Sequence, residues 1–425
     1  QLILAGCSSP DPFSTQLLLP RTGVSEWSHK GNELQGGCIG KVLPLGRSGE
    51  HIIVSLKDRP FIHVVGLNSQ ERFMERTSVS GVVTDFTTTS DGSLLFIAIE
   101  KKIFVYQLLN GELLGVKDVH LQNITQIALS SDDALLVTAS DDGSVRVFYV
   151  SSLVSNESLE PICEWRVHSL SVTGLSLSSS SSLRIASCSR DHTACIYSVA
   201  MNMCLLRICC DRPLSSVLLC PTETRVFLGT DQGGITVMSL LQVAKKDEME
   251  VKVSTTNKHT KDFVLEGRHS EGVTCMTVNN DGSLLCSGDA AGKYVIWQIA
   301  SKQVLKESSM PGPISSLSFV PLWTALANKE DKTIDRPKWN LQRTINDKLS
   351  LPLNRRSEVD NDKEWLDVVE SRLGGGKSVE ARKESKGDVD EVIRKLKEEN
   401  ARLLRINNEM YEFTAKEVLG LSKNS

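Results

Sequence analysis

Residues 124–148 read ITQIALSSDDALLVTASDDGSVRVF, residues 172–197 read VTGLSLSSSSSLRIASCSRDHTACIY, and residues 273–297 read VTCMTVNNDGSLLCSGDAAGKYVIW. Laid beneath one another, these are copies of one unit. In each, three short runs with alternating apolar residues are separated by Asp, Gly and Ser turns. A fourth run follows the aromatic residue, which is the signature of strands joined by hairpins. Weaker copies fill the intervals: Val83–Tyr106 with its Ser90-Asp91-Gly92 turn, Ser216–Met238 around Gly233-Gly234, and a looser one at Ile52–Val65. His120 and His168 are 48 residues apart, and His168 and His269 are 101 apart, or about two periods. A four-stranded unit cannot bury both faces alone, so the copies stack radially about an axis as a β-propeller. Ile314–Val320 is left over. It reads as the innermost strand of a blade completed by Leu2–Ala5 and the segments before Trp27, a splice of the two chain ends that closes the ring. Counting that blade there are seven, with six and eight as alternatives because the first two copies are degenerate.

The chain has 425 residues, more than one ordinary domain, with 40% apolar and 24% charged side chains. Its 48 Lys and Arg face 52 Asp and Glu, a net charge of −4, which excludes a basic nucleic-acid coat protein. Groups such as Lys101-Lys102, Lys245-Lys246 and Arg355-Arg356 read as solvated surface, so any RNA contact is incidental. Eleven cysteines without a CxxC or zinc-ligand spacing argue against a disulfide framework or a metal site and for a reducing compartment. No run approaches the roughly 20 apolar residues of a membrane helix. Leu4-Ala5-Gly6-Cys7 spells a lipid-attachment box but lacks the charged and apolar regions that such a signal carries, and it reads instead as a strand. The glycosylation sequons at Asn123 and Asn156 matter only in a secreted chain.

The repeats resemble WD repeats, whose blades carry a buried chain of His, Ser or Thr, Asp and Trp. His168, Ser187, Asp191 and Tyr197 fit that chain, with Tyr in place of Trp. His120, Thr138, Asp142 and Phe148 fit it as well, although Phe cannot donate the hydrogen bond of an indole. The third set is His269, Ser287 and Trp297, with Ala291 where the acid is expected. A His/Ser/Asp grouping invites a hydrolase reading, but its recurrence in successive blades points to satisfied core groups. Phosphate loop, H-E-x-x-H, G-x-S-x-G elbow and EF-hand are all missing, and Gly36-Gly37 with Gly40 lacks the rest of a dinucleotide fingerprint. The sequence calls for no cofactor, no metal and no catalysis.

The propeller is expected over 1–327, with residues 244–263, too charged for the core, as a solvated loop between blades. A polar, partly disordered arm follows over 328–387, with Trp339 and Trp365 as anchors either on a partner or back on the propeller. Residues 388–418 contain no Pro or Gly and open on Asp388, Asp390 and Glu391, which predicts a helix of roughly 46 Å. Its apolar residues Val392, Leu396, Leu403, Ile406, Met410 and Phe413 follow steps of four and three, a coiled-coil stripe interrupted at Glu399, with Asn400 and Asn407 beside it. The stripe pairs with a copy of itself, with another protein's helix or with the propeller wall, and the heptads favour intermolecular pairing. Residues 419–425 form a disordered tail.

Blades reading His269-SEGVTCMTVNNDGSLLCSG and Val295-IWQIASKQVL, the polar arm and the terminal Leu403-LRINNEMYEFTAKEV together resemble the WD repeat-containing protein 18 family, which includes plant ROOT INITIATION DEFECTIVE. The resemblance implies a scaffold of the Rix complex in the nucleus, both nucleolus and nucleoplasm. Its partners there are the other Rix-complex subunits, a midasin-type AAA ATPase and precursors of the large ribosomal subunit, and it supports removal of the internal transcribed spacer. It also implies that the terminal helix contributes to assembly. A rival reading keeps the propeller as an adaptor or substrate receptor of a ubiquitin ligase or signalling complex, against which stands the lack of a WDxR-type blade ending.

Overall fold

The computed structural model describes residues 1–9, 14–29, 38–46, 51–67, 74–155, 159–180, 183–241, 250–253, 264–265, 267–321 and 341–342. These residues form seven sheets. Blade 1 consists of Ile39–Leu45, His51–Leu56, Phe61–Gly66 and Met74–Ser78, and blade 2 of Asp85–Thr88, Leu94–Ile99, Lys102–Gln107 and Glu112–Asp118. Blade 3 consists of Ile124–Leu129, Leu135–Ser140, Val145–Tyr149 and Cys163–Trp165, and blade 4 of Val172–Leu177, Arg184–Ser189, Thr193–Ser198 and Met203–Cys210. Blade 5 is Leu214–Leu219, Arg225–Thr230, Ile235–Ser239 and Val264–Leu265, and blade 6 is Val273–Val278, Leu284–Asp289, Lys293–Gln298 and Gln303–Ser309. Within each blade the strands are called a to d in that order, and every strand a packs beside strand a of both neighbouring blades, so the seven line one axis.

Blade 7 joins the two ends of the ring. Its strand a is Ile314–Val320, paired antiparallel with Leu2–Cys7, and Thr15–Leu18 and Ser25–His29 complete it. Leu2–Cys7 is buried at every position, which explains its uninterrupted apolar run: both faces of a strand b are covered by neighbouring blades. The core is accordingly divided into wedges between blades. Ile53 and Val64 meet Phe86 and Ile97 between blades 1 and 2, and Val137 and Val147 meet Ile185 and Tyr197 between blades 3 and 4.

The charged insertion behaves otherwise than expected. Glu250–Val253 is a fifth strand on the outer edge of blade 4, parallel to Met203–Cys210, with Arg207 opposite Glu250. Its E-V-K-V alternation sends Val251 and Val253 inward, Val253 to 9% exposure, and leaves Glu250 and Lys252 in water. Val264–Leu265 then supplies strand d of blade 5, with Leu265 buried. The insertion therefore covers an edge that β-strands otherwise leave open.

The chain divides into one compact unit over Gln1–Leu349 and another over Ser350–Ser425. Two residues of the polar arm, Leu341 and Gln342, are described, and both lie against blade 2, where the Gln342 backbone N–H donates to the Gly111 carbonyl at 2.7 Å. The helix expected over 388–418 lies outside the described residues.

Candidate functional site

The repeat signature residues meet in the interior of three blades. In blade 6 the Trp297 indole N–H donates to Ser287 Oγ at 2.9 Å, and Ser287 Oγ lies 2.7 Å from His269 Nε2. His269 Nδ1 lies 3.0 Å from Asp289 Oδ2. An indole only donates and a carboxylate only accepts, so the chain has one direction: the Nδ1 proton faces Asp289 and Ser287 donates to Nε2. Asp289, rather than the residue at 291, is the acid of this blade, and Ala291 is exposed. The reason is strand periodicity. Positions 287 and 289 are two apart on one strand, so both side chains leave the same face and converge on the same imidazole.

Blades 3 and 4 add one more hydroxyl between imidazole and carboxylate, beside a longer direct contact of the two. His168 Nε2 is 2.7 Å from Ser187 Oγ, and its Nδ1 is 2.9 Å from Thr193 Oγ1 and 3.3 Å from Asp191 Oδ2. Thr193 Oγ1 donates to Asp191 Oδ1 at 2.6 Å. Similarly, His120 stands 2.8 Å from Thr138 Oγ1 and 3.1 Å from Ser144 Oγ, and Ser144 donates to Asp142 at 2.5 Å. Ser144 and Thr193 were not picked out from the sequence, although Asp142-Gly143-Ser144 and Asp191-His192-Thr193 carry the spacing of an Asp that caps its own turn two residues on. Tyr197 places its hydroxyl 3.2 Å from Ser187 Oγ and stacks on Trp165 with ring centroids 4.7 Å apart. Phe148 packs without a polar contact in the wedge between blades 2 and 3.

The electrostatics match a core. Burial holds His120 down at about 4, and burial likewise holds His168 and His269 below the ordinary imidazole value, so all three are neutral at pH 7. For Asp142 and Asp191, burial alone would raise the carboxyl. Donation from the Ser144 and Thr193 hydroxyls and from backbone N–H groups, with the electrostatic attraction of the facing His, outweighs it and holds both below the usual carboxylate range. Thr138, Ser187 and Ser287 are all 0% exposed, so no substrate carbonyl can approach these hydroxyls. Here a hydrolase-like set of side chains holds sheets together.

A second set of polar contacts, absent from the repeat signature, runs around the axis. At the junction of blades 7 and 1, the Val42 N–H donates to Ser316 Oγ at 3.2 Å. Between blades 1 and 2, Lys41 Nζ meets Asp85 Oδ1 at 2.6 Å, and the other oxygen of Asp85 accepts the Ile127 N–H of blade 3 at 2.8 Å. Gln126 accepts the Leu175 N–H at 2.7 Å, and Ser176 accepts the Leu219 N–H at 2.9 Å. Ser216 donates to the Val273 carbonyl at 2.9 Å, and Thr274 donates to the Ile314 carbonyl at 2.7 Å, which completes the circle. Each of the seven junctions thus has a side chain of one strand a bonded to strand a of the next blade.

The partner-facing residues expected on the terminal helix, Val392, Leu396, Leu403, Ile406, Met410 and Phe413, lie outside the described residues. Among the described residues, no group of three or more His, Cys, Asp or Glu is placed to hold a metal ion.

Comparison with known proteins narrows the picture. The family model "WD domain, G-beta repeat" matches residues 111–148, 159–198 and 260–298, the three repeats whose blades hold the His chains. The pre-rRNA-processing protein pro-1 of Caenorhabditis briggsae is 40% identical over 378 residues, covering 88% of this chain and 71% of its own. WD repeat-containing protein 18 of Rattus norvegicus is 23% identical over 414 residues, 93% of this chain and 94% of its own. The pre-rRNA-processing protein IPI3 of Kluyveromyces lactis is 27% identical over 325 residues, 67% of this chain and 64% of its own.

Proposed function

The chain belongs to the WD-repeat family of pre-rRNA-processing protein pro-1 and WD repeat-containing protein 18, and from that membership we propose that it is a non-catalytic scaffold of a Rix-type complex on nuclear precursors of the large ribosomal subunit. Its role is in pre-rRNA processing and hence in ribosome biogenesis. The observation that carries this reading is the 40% identity to a pre-rRNA-processing protein along 88% of the chain. The geometry of the ring agrees with it, because the residues that could do chemistry are used on one another inside the blades.

The scaffold works by division of labour. The ring presents a rigid rim of turns, and the amphipathic segment 388–418 joins the ring to a copy of itself or to a helix of another subunit through Leu396, Leu403, Ile406, Met410 and Phe413. Recruitment of a midasin-type ATPase and support of internal-transcribed-spacer removal follow from assembly of the complex. A net charge of −4 suits protein partners better than direct reading of rRNA.

The test is affinity purification of the tagged full chain from nuclear extract, beside Leu403→Asp with Met410→Asp, with mass spectrometry and probing for precursor rRNA. Rix-type partners and large-subunit precursors are expected with the parent chain and lost from the double variant. Unchanged complex size in the variant sinks the helix assignment, and recovery of ligase or receptor components in place of precursors sinks the scaffold.

A further inference from the structure

The His chains occupy blades 3, 4 and 6, and the positions they leave apolar are not scattered. The residue matching Ser187 is Ala5 in blade 7, Val54 in blade 1 and Ile97 in blade 2, all buried. Three successive blades, on either side of the ring's closure, therefore lack the polar chain that cross-links the others. Blade 5 also lacks it, with Leu228 at the corresponding place, but stands between two blades that have it.

The segment after the last strand returns to this arc. Strand a of blade 7 ends at Val320, and Pro321 borders a hollow whose walls are Leu43 and Pro44 of blade 1 and Thr87 and Thr88 of blade 2. Leu341 is 8% exposed and belongs to the apolar wedge between blades 1 and 2, with Ile53, Val64, Phe86 and Tyr106. All other residues of that wedge come from Leu43–Val116, and no other core cluster among the described residues draws on anything beyond Val320. The Gln342 N–H bonds the carbonyl of Gly111, in the turn between strands c and d of blade 2, at 2.7 Å. A Leu buried in a wedge of the ring and followed by a backbone hydrogen bond to the same blade is an anchor and not a passing contact.

We infer that Leu341–Gln342 is an intramolecular clasp: it fills the wedge between blades 1 and 2 and fastens the part of the ring that has no His chain. Leu341 supplies apolar area and Gln342 fixes it in register against Gly111.

Hydrogen exchange read by mass spectrometry on the full-length protein tests this with Leu341→Asp and Gln342→Pro, the latter removing the N–H donor to Gly111 together with the Gln side chain and fixing φ at that position. Peptides from Ile39–Asp118 are expected to exchange about tenfold or more faster in Leu341→Asp, and less so in Gln342→Pro. Peptides of blades 3, 4 and 6 are expected to keep the parent rate, and Leu341→Met is expected to restore protection. Unchanged exchange over Ile39–Asp118, or acceleration spread evenly round the ring, overturns the clasp. Should Leu341→Asp not fold, Leu341→Ala is read in the same way, with the same two outcomes.

Discussion

Replacing Asp289 with Ala removes the acceptor of two donors at once, one buried and one half-buried. Asp289 is 0% exposed, and its Oδ2 takes the His269 Nδ1 proton at 3.0 Å while its Oδ1 takes the Lys293 backbone N–H at 2.7 Å. Each donor left without a partner costs about 1–3 kcal/mol, and losing the desolvation penalty of a buried carboxylate returns part of that. The net expectation is a loss of about 2–4 kcal/mol. The three acids then rank by how well water can stand in for them: side-chain exposure is 0% for Asp289, 5% for Asp191 and 13% for Asp142. Alanine variants at the three positions are compared by urea midpoint at constant m-value, with near-ultraviolet circular dichroism reporting the packed ring. Ala291→Gly serves as the control at the exposed turn position and is expected to change stability by less than about 1 kcal/mol. A smaller loss for Asp289→Ala than for Asp142→Ala would refute the argument that burial sets the cost, and an effect of Ala291→Gly equal to that of Asp289→Ala would refute the assignment of the acid.

Two further outcomes follow from the same contacts. Because His120 is held from 6.5 down to about 4, the unfolded chain binds a proton that the native one refuses, so stability falls as pH drops from about 6.5 through 4, by about 3 kcal/mol for this residue alone. Asp142 and Asp191, held low in the native state, lose their contribution only below the ordinary carboxylate value, so urea midpoints should decline in two stages, and a flat midpoint between pH 6.5 and 4.5 contradicts the neutral imidazoles. Lys41→Met leaves the Asp85 carboxylate, 7% exposed, with backbone donors only and should cost about 2–4 kcal/mol in thermal or urea unfolding; a change under about 0.5 kcal/mol would mean that the Lys41 contact adds nothing at that junction.

How much of this was legible in the sequence depended on whether the physics repeats. His120, His168 and His269 recur with a hydroxyl and an aromatic at matching offsets, so three blades could be read directly, and the unpaired Ile314–Val320 led to the closing blade. Asp289 escaped because the offset was taken from the turn of blade 4, although two-residue alternation from Ser287 pointed to it. The ties between neighbouring strands a stayed hidden for a different reason: Ser316, Lys41, Asp85, Gln126, Ser176, Ser216 and Thr274 do the same job with different chemistry, so no alignment of copies brings them out. In the insertion, charge density concealed an alternation of two valines that is ordinary for an edge strand. Leu341 carried no local signal at all, since its partners lie in blades 1 and 2, far away in the chain.

The splice that completes blade 7 has a consequence in time. Of the ring's strands, those ending at His29 are made before the rest and their neighbour Ile314–Val320 after the rest, so Leu2–Cys7 has no strand on one side while the blades between are made. At roughly 5–20 residues per second the wait is on the order of 15–60 s. Throughout it, a fully apolar six-residue strand with an open edge is available to any other chain. Early packing of blade 1 against Leu2 and Leu4 shields part of that strand, and where it fails aggregates should be seeded by Leu2–His29 rather than by the blades that carry the His chains.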